Sequence, residues 1–236
     1  MSEIQKKETV RIAKYIASSG KYSRREAERL IVDLRVKLNG KIVEDLGRQV
    51  AKDDIILVDD EPITPELKEK IWLFYKPRGC ICSRSDEQGR KTIYDVLPKE
   101  MAKVHLVGRL DYNTEGLIIL TNSPAIKRHM EMPSSGMIRK YKVRILGSIS
   151  DDMRANLEKG ITHEGMKYKP CKVKVLLPKK PDAINTWLEI SLSEGKYREI
   201  RNMMDFAGCQ VNRLIRTAYG QFSLGDMHPY ELKSVD

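Results

Sequence analysis

Between Glu115 and Asn122 the chain reads EGLIILTN, and the unbroken apolar run Leu117, Ile118, Ile119 and Leu120 constrains the fold more than any other stretch. A strand that alternates apolar and polar residues covers one face of a sheet, whereas a continuous apolar run needs cover on both. The chain must therefore build a sheet with material packed on either side. Further strand candidates are IWLFYKP, VHLVGRL, RKYKVRILG and TWLEISLSEG, and VHLVGRL and GLIILTN flank a single loop. The segment REIRNMMDFAGCQV has helical spacing at Ile200, Met203, Met204 and Ala207, with Gly208 placed to end the helix. Strands outnumber helices, so the expected class is α+β with a mixed sheet.

A length of 236 residues suffices for a large domain and a small companion without cross-linking. The companion is expected over residues 9–61. Ile12, Tyr15 and Ile16 share one helical face, and Ala27, Leu30, Ile31 and Leu34 share another. Ser23 with Glu26 three residues on reads as a capping box, which puts Arg24 and Arg25 in the first helical turn. The helix dipole disfavours cations there. Two arginines so placed suggest a phosphate ligand, and ordinary solvated charge is the plainer alternative. Val36 and Leu38 lead into an Asn39-Gly40 hairpin turn, with Ile42 and Val43 on the return strand. Residues 62–70, PITPELKEK, read as a linker, leaving 71–236 for the larger domain.

With 43 Lys+Arg against 33 Asp+Glu, the net charge is +10, and a polyanion is the first partner to consider. No apolar run approaches the roughly 20 residues of a membrane span, and MSEIQKKETV lacks the apolar core of a signal peptide. A cytoplasmic protein with no membrane partner is expected. The four cysteines, Cys80, Cys82, Cys171 and Cys209, are too scattered for a disulfide scaffold; Cys80 and Cys82 read as alternate residues of a strand rather than a metal pair. GRKT lacks the upstream glycines of a P-loop, no dinucleotide fingerprint occurs, and His105, His129, His163 and His228 form no metal-spaced pair. ATP, NAD and zinc are not indicated.

The loop GRLDYNTEG centres on Asp111. An Asp beside Asn, Thr and Gly ordinarily bonds its own backbone in a turn. A loop anchored on a strand buried on both faces is also stiff enough to hold a carboxylate with the accuracy a nucleophile needs. Such a carboxylate needs a cation nearby to stay ionised. SEGKYREIRNMM supplies Lys196, Arg198 and Arg201, the two arginines three apart on one helical face, although a basic helix face alone would look the same. Tyr141, between basic neighbours in RKYKV, has the setting of an aromatic residue that stacks on a base, or of a half-buried strand tyrosine.

Two resemblances organise these residues. The order helix, SRREAERLI, then VKLNGKIV over residues 9–61 resembles the small RNA-binding domain of the S-four type, first described in a small-subunit ribosomal protein. It implies that Arg11, Lys14, Arg24, Arg25 and Lys37 meet RNA. GRLDYNTEGLIILTN, with YKPRG before it and RKYKV and EGKYREIRNMMDFAGCQVNRLIRTAYG after it, resembles the pseudouridine synthases that modify bacterial ribosomal RNA, over about residues 71–232. That resemblance implies a cofactor-free isomerase, with Asp111 catalytic, Tyr141 stacking on uracil, Arg201 pairing with the aspartate, Ile200 lining the pocket and Arg109 supporting the flipped state. Lys76, Lys196 and Arg198 complete the expected substrate contacts. The resemblance points to large-subunit (23S) rRNA or its assembly intermediate as partner of a monomeric enzyme. A small-subunit (16S) enzyme, or an assembly factor that binds RNA without turnover, is the alternative. Two departures stand out: Tyr75 where asparagine is common, and Asn202 where a second basic residue is frequent.

Overall fold

A computed structural model describes residues 9–51, 53–64, 69–176 and 184–235. The chain divides into two compact units, Met1–Glu69 and Lys70–Asp236.

In the first unit, α1 (Ile12–Ser18) and α2 (Arg24–Val32) precede a small sheet of β1 (Val36–Leu38), β2 (Lys41–Ile42), β3 (Ile56–Val58) and β4 (Glu61–Pro62), in the order β2-β1-β3-β4. The capping box is present: Glu26 N donates to Ser23 Oγ, and Ser23 N donates to the Glu26 carboxylate at 2.6 Å. Asn39 and Gly40 both have positive φ, 50° and 82°, the geometry a two-residue hairpin needs to follow strand twist. Ile12, Ile16, Ala27, Leu30, Ile31, Val36 and Val58 form the core.

Two expectations need correction here. Leu34 does not continue the buried face of α2, because the helix stops at Val32 and Leu34 turns left-handed (φ 59°) and is 51% exposed. The expected linker also starts too early: Pro62 pairs with Leu57, and Ile63 is buried in the first unit's core. Residues 65–68 of that stretch lie outside the described residues.

The second unit is built on a nine-stranded sheet. Its strands in chain order include β5 (Ile71–Lys76), β6 (His105–Val107), β7 (Glu115–Thr121), β8 (Arg139–Leu146), β9 (Lys172–Leu176), β10 (Asn185–Leu192), β11 (Val211–Tyr219) and β12 (Leu232–Val235). The spatial order is β9-β10-β8-β11-β7-β5-β12, with β6 against β7. Strand β7 is buried at every position. Leu117 and Ile119 enter one apolar cluster while Ile118 and Leu120 enter another, so the run LIIL is covered on both faces as its composition requires. After α3 (Pro124–Glu131) and α4 (Asp151–Lys159), helix α5 (Glu199–Phe206) buries Ile200, Met203 and Met204, and Gly208 follows it with φ 68°.

Strands β7 and β11 run parallel, with Ile215 opposite Glu115 and Arg216 opposite Gly116. A Cβ on Gly116 (φ 106°) would lie 2.4 Å from Arg216 O and 2.8 Å from Arg216 N, so only glycine permits this approach. Cys80 and Cys82 do not sit on a regular strand: their segment is irregular apart from a single bridge between Ile81 and Thr92. All four cysteines are free, no group of His, Cys, Asp and Glu among the described residues is arranged to hold a metal, and no described helix is long and apolar enough to cross a membrane.

Candidate active site

The loop between β6 and β7 carries Asp111, and its backbone is held from several directions. Gly108 N donates to Glu131 Oε1 at 2.7 Å, Leu110 N to Cys82 Sγ at 3.3 Å, and Thr114 N to Asp111 O at 3.0 Å. Gly79 N donates to Tyr112 O at 2.9 Å. Beneath the loop, the Lys76 ammonium donates to Asp111 O at 3.1 Å, Thr114 O at 2.8 Å and Pro77 O at 3.0 Å. Burial lowers the Lys76 pKa, while the nearby thiols and carboxylates favour its charged form. Three carbonyl acceptors match the three donors of an ammonium. The turn is therefore closed by main-chain atoms and by Lys76, which leaves the Asp111 side chain free of that task.

The half-buried Asp111 carboxylate makes no hydrogen bond or ion pair among the described residues, and it lines a pocket of about 130 Å³. Engineered cavities of about 150 Å³ hold benzene, so the pocket is on the scale of one planar six-membered ring. Tyr141, Ile200, Leu192 and Leu214 supply apolar surface, and Arg109, Arg139, Lys196, Arg198 and Arg216 supply positive charge. Tyr141 is 9% exposed and sits directly across from Arg216 in the pairing of β8 with β11.

The expected residues distribute as follows. Asp111, Tyr141, Ile200, Arg109, Lys196 and Arg198 all line the pocket. Arg201 sits behind it: Nη1 donates to Val211 O at 3.3 Å and Nη2 to Asn113 O at 3.4 Å. Burial and the neighbouring Arg198 lower its pKa, while the Asp111 charge favours its charged form, so its link to Asp111 is through the field rather than by a direct bond. Lys76 is a correction. It is fully buried, points at backbone carbonyls and is absent from the pocket lining, so it braces the loop and does not touch a ligand. Arg198 and Arg201 do not share a helical face, because Arg198 precedes α5 in a left-handed conformation with φ 49°. That kink turns the exposed Arg198 side chain to the pocket mouth, beside Lys196, which pairs with Glu194 at 3.2 Å.

Both sequence departures have local roles. The Tyr75 hydroxyl donates to Glu115 at 3.0 Å, and Arg213 pairs with the same carboxylate at 2.7 Å. Asn202 donates to the Tyr168 hydroxyl at 2.9 Å and to Tyr197 O at 3.3 Å, tying down the chain ahead of α5.

The family profile for RNA pseudouridylate synthase matches residues 70–206. The chain belongs to this family. A profile for the S4 domain matches residues 10–56 of this RNA pseudouridylate synthase family member. An uncharacterized RNA pseudouridine synthase of Rickettsia bellii (strain RML369-C) is 40% identical over 95% of this chain and 96% of its own length. Ribosomal large subunit pseudouridine synthase B of Bacillus subtilis (strain 168) is 34% identical over 95% of both chains. A crystal structure of a pseudouridylate synthase superposes with a TM-score of 0.66 at 28% identity, covering 96% of each chain.

Among the pocket residues of this pseudouridylate synthase not singled out from its sequence are two buried charged ones, Glu199 and Arg216. Glu199 is 4% exposed, its Oε2 accepts from Lys196 N at 2.8 Å, and its Oε1 has no partner. Burial, with Glu194 alongside, pushes its pKa up to about 7. Arg216 is 2% exposed. The available signal was the alternation in RLIRTAYG, which puts Arg216 on the same strand face as the buried Leu214.

Proposed function

We propose that this chain converts a specific uridine of large-subunit (23S) rRNA to pseudouridine, with Asp111 as nucleophile on a flipped-out base. The observation that carries the reading is an aspartate whose carbonyl is held by Lys76 and by Thr114 N while its carboxylate stands free in a ring-sized pocket. A uridine must leave its stack to reach such a site, at a cost of a few kcal/mol. In this reading exposed Arg109, next to the nucleophile, supports the flipped state and Tyr141, in the same pocket lining, stacks on the uracil. Ile200 adds apolar lining. Lys196 and Arg198 at the mouth suit the phosphates flanking the target nucleotide.

Ribosomal RNA as substrate is supported by the relatives named for it, and the large subunit by the Bacillus subtilis protein at 34% identity. The S4 domain supplies exposed Arg11, Lys14, Arg24 and Arg25 for the RNA backbone. Half-buried Lys37 is paired with Asp60 and adds less. The test is incubation with unmodified large- and small-subunit rRNA followed by chemical mapping of pseudouridine. New pseudouridine at a discrete position of the large-subunit RNA is expected. Conversion confined to small-subunit RNA would move the substrate, and tight binding without conversion of either would leave an RNA-binding factor.

A further inference from the structure

Arg216 is the buried cation of the pocket, and no carboxylate is paired with it among the described residues. Arg216 Nε donates to Leu117 O at 2.7 Å, its guanidinium lies 5.2 Å from the Tyr219 ring, and its buried Nη2 has no hydrogen-bond partner. Among the described residues Arg216 forms no ion pair, unlike Lys196, which has Glu194, and Arg213, which has Glu115. A guanidinium does not shed its proton, so the charge stays, and a buried charge with an unfilled donor is costly to keep.

The fold makes special provision for it. Gly116 lets β11 approach β7 so closely that no side chain could replace its hydrogen, which sets Arg216 beside the Asp111 loop. On the other side Arg216 pairs with Tyr141. Both residues line the pocket, so a ring stacked on Tyr141 has the guanidinium next to its edge.

We propose that Arg216 donates to a carbonyl oxygen of the uracil and stabilises the negative charge that gathers there when the glycosidic bond breaks. The inference rests on the isomerase reading above. In that reaction the bond between N1 and C1′ breaks and its electron pair departs with the base, spreading over N1, O2 and O4. Asp111, having taken the place of N1 on C1′, leaves with its own electron pair when C5 bonds to C1′; C5 then gives up its proton and N1 gains one, so no oxidant or co-reactant is needed. A donor aimed at the oxygens where charge develops, in a site that excludes water, acts on this step as an oxyanion hole acts on acyl transfer.

The test compares single-turnover rates at saturating RNA for wild type, Arg216→Gln and Arg216→Lys, with either uridine or 5-fluorouridine at the target position. Fluorine withdraws electrons and makes the departing base less dependent on outside stabilisation. It also cannot leave C5 as a proton does, so the rejoined product is trapped and cleavage with rejoining is read directly. Arg216→Gln is expected to slow uridine about 100- to 1000-fold and 5-fluorouridine by a clearly smaller factor, with RNA affinity within a few fold. Arg216→Lys, which keeps the charge and loses the fork, should fall between. Equal losses on the two bases would show that Arg216 only shapes the pocket or holds a phosphate or carboxylate, and would overturn the role. So would an unchanged uridine rate. If Arg216→Gln does not fold, the same comparison of bases in Arg216→Lys decides. A wild type that converts neither base overturns the isomerase reading and this role together, whereas an active wild type with equal losses overturns this role alone.

Discussion

The two units use positive charge in opposite ways. In the first, Arg11, Lys14, Arg24 and Arg25 are exposed, and the ion pair of Arg24 with Glu28, at 3.4 Å between side chains 56% and 43% exposed, is of the kind that contributes little. In the second, Lys76 and Arg216 are buried and aimed at particular atoms. Exposed cations act through a screened field and nearly add, so each is dispensable in part. Buried ones act by position, so each loss is felt in full. Binding and chemistry should therefore separate by mutation.

Outside Asp111 and Arg216, the largest effect is expected at Lys76. Lys76→Met removes an ammonium that ties three carbonyls of the loop. Hydrogen bonds to charged groups contribute about 1.5–3 kcal/mol each, and relaxation should leave a net destabilisation of about 2–4 kcal/mol, measurable by urea unfolding. A loosened nucleophile should also cost about 100-fold in turnover. Unchanged turnover in a folded Lys76→Met variant would break the claim that buried charge acts by position.

A smaller effect is expected at Glu199. Its pKa in the folded protein is about 7, against an ordinary value of 4.5. Between those values the folded state binds more protons than the unfolded chain, so this group's contribution is fully present below about pH 4.5 and lost as pH rises through 7. Glu199→Gln keeps an oxygen for Lys196 N–H and cannot ionise. Its stability should match wild type at pH 5 and exceed it by about 1–3 kcal/mol at pH 8. Urea unfolding at the two pH values checks this; a difference that does not grow with pH would contradict it.

The smallest effect on turnover is expected in the first unit. Arg24→Ala with Arg25→Ala should weaken RNA binding and reduce the slope of log affinity against log salt by up to about 2, with little change in turnover at saturating RNA. Filter binding from low to moderate salt measures it. A drop in saturated turnover would blur the division between the units.

Much of this was legible in the sequence where the cause is local. The run Leu117 to Leu120 implied cover on both faces, Ser23 and Glu26 implied a cap, and Gly208 implied a helix end. The resemblance of GRLD and its companion blocks named Arg109, Asp111, Tyr141, Lys196, Arg198 and Ile200, all of which line the pocket. What escaped depends on atoms distant in the chain. Lys76 reads as a substrate contact until the carbonyls of Asp111 and Thr114 are seen to converge on it. Arg216 reads as one more basic strand residue until Gly116 draws its strand in. The Arg198 kink likewise breaks a helical spacing that looked continuous.

The central claim is that Asp111 stands free for chemistry and not for the turn. The most direct measurement is tritium release from large-subunit rRNA labelled at uridine C5, with wild type and Asp111→Ala side by side at equal bound RNA. The account predicts stoichiometric release from the target uridine by wild type and none by Asp111→Ala, with RNA affinity within a few fold. Release by Asp111→Ala near the wild-type rate would contradict it and return Asp111 to the role of a turn residue.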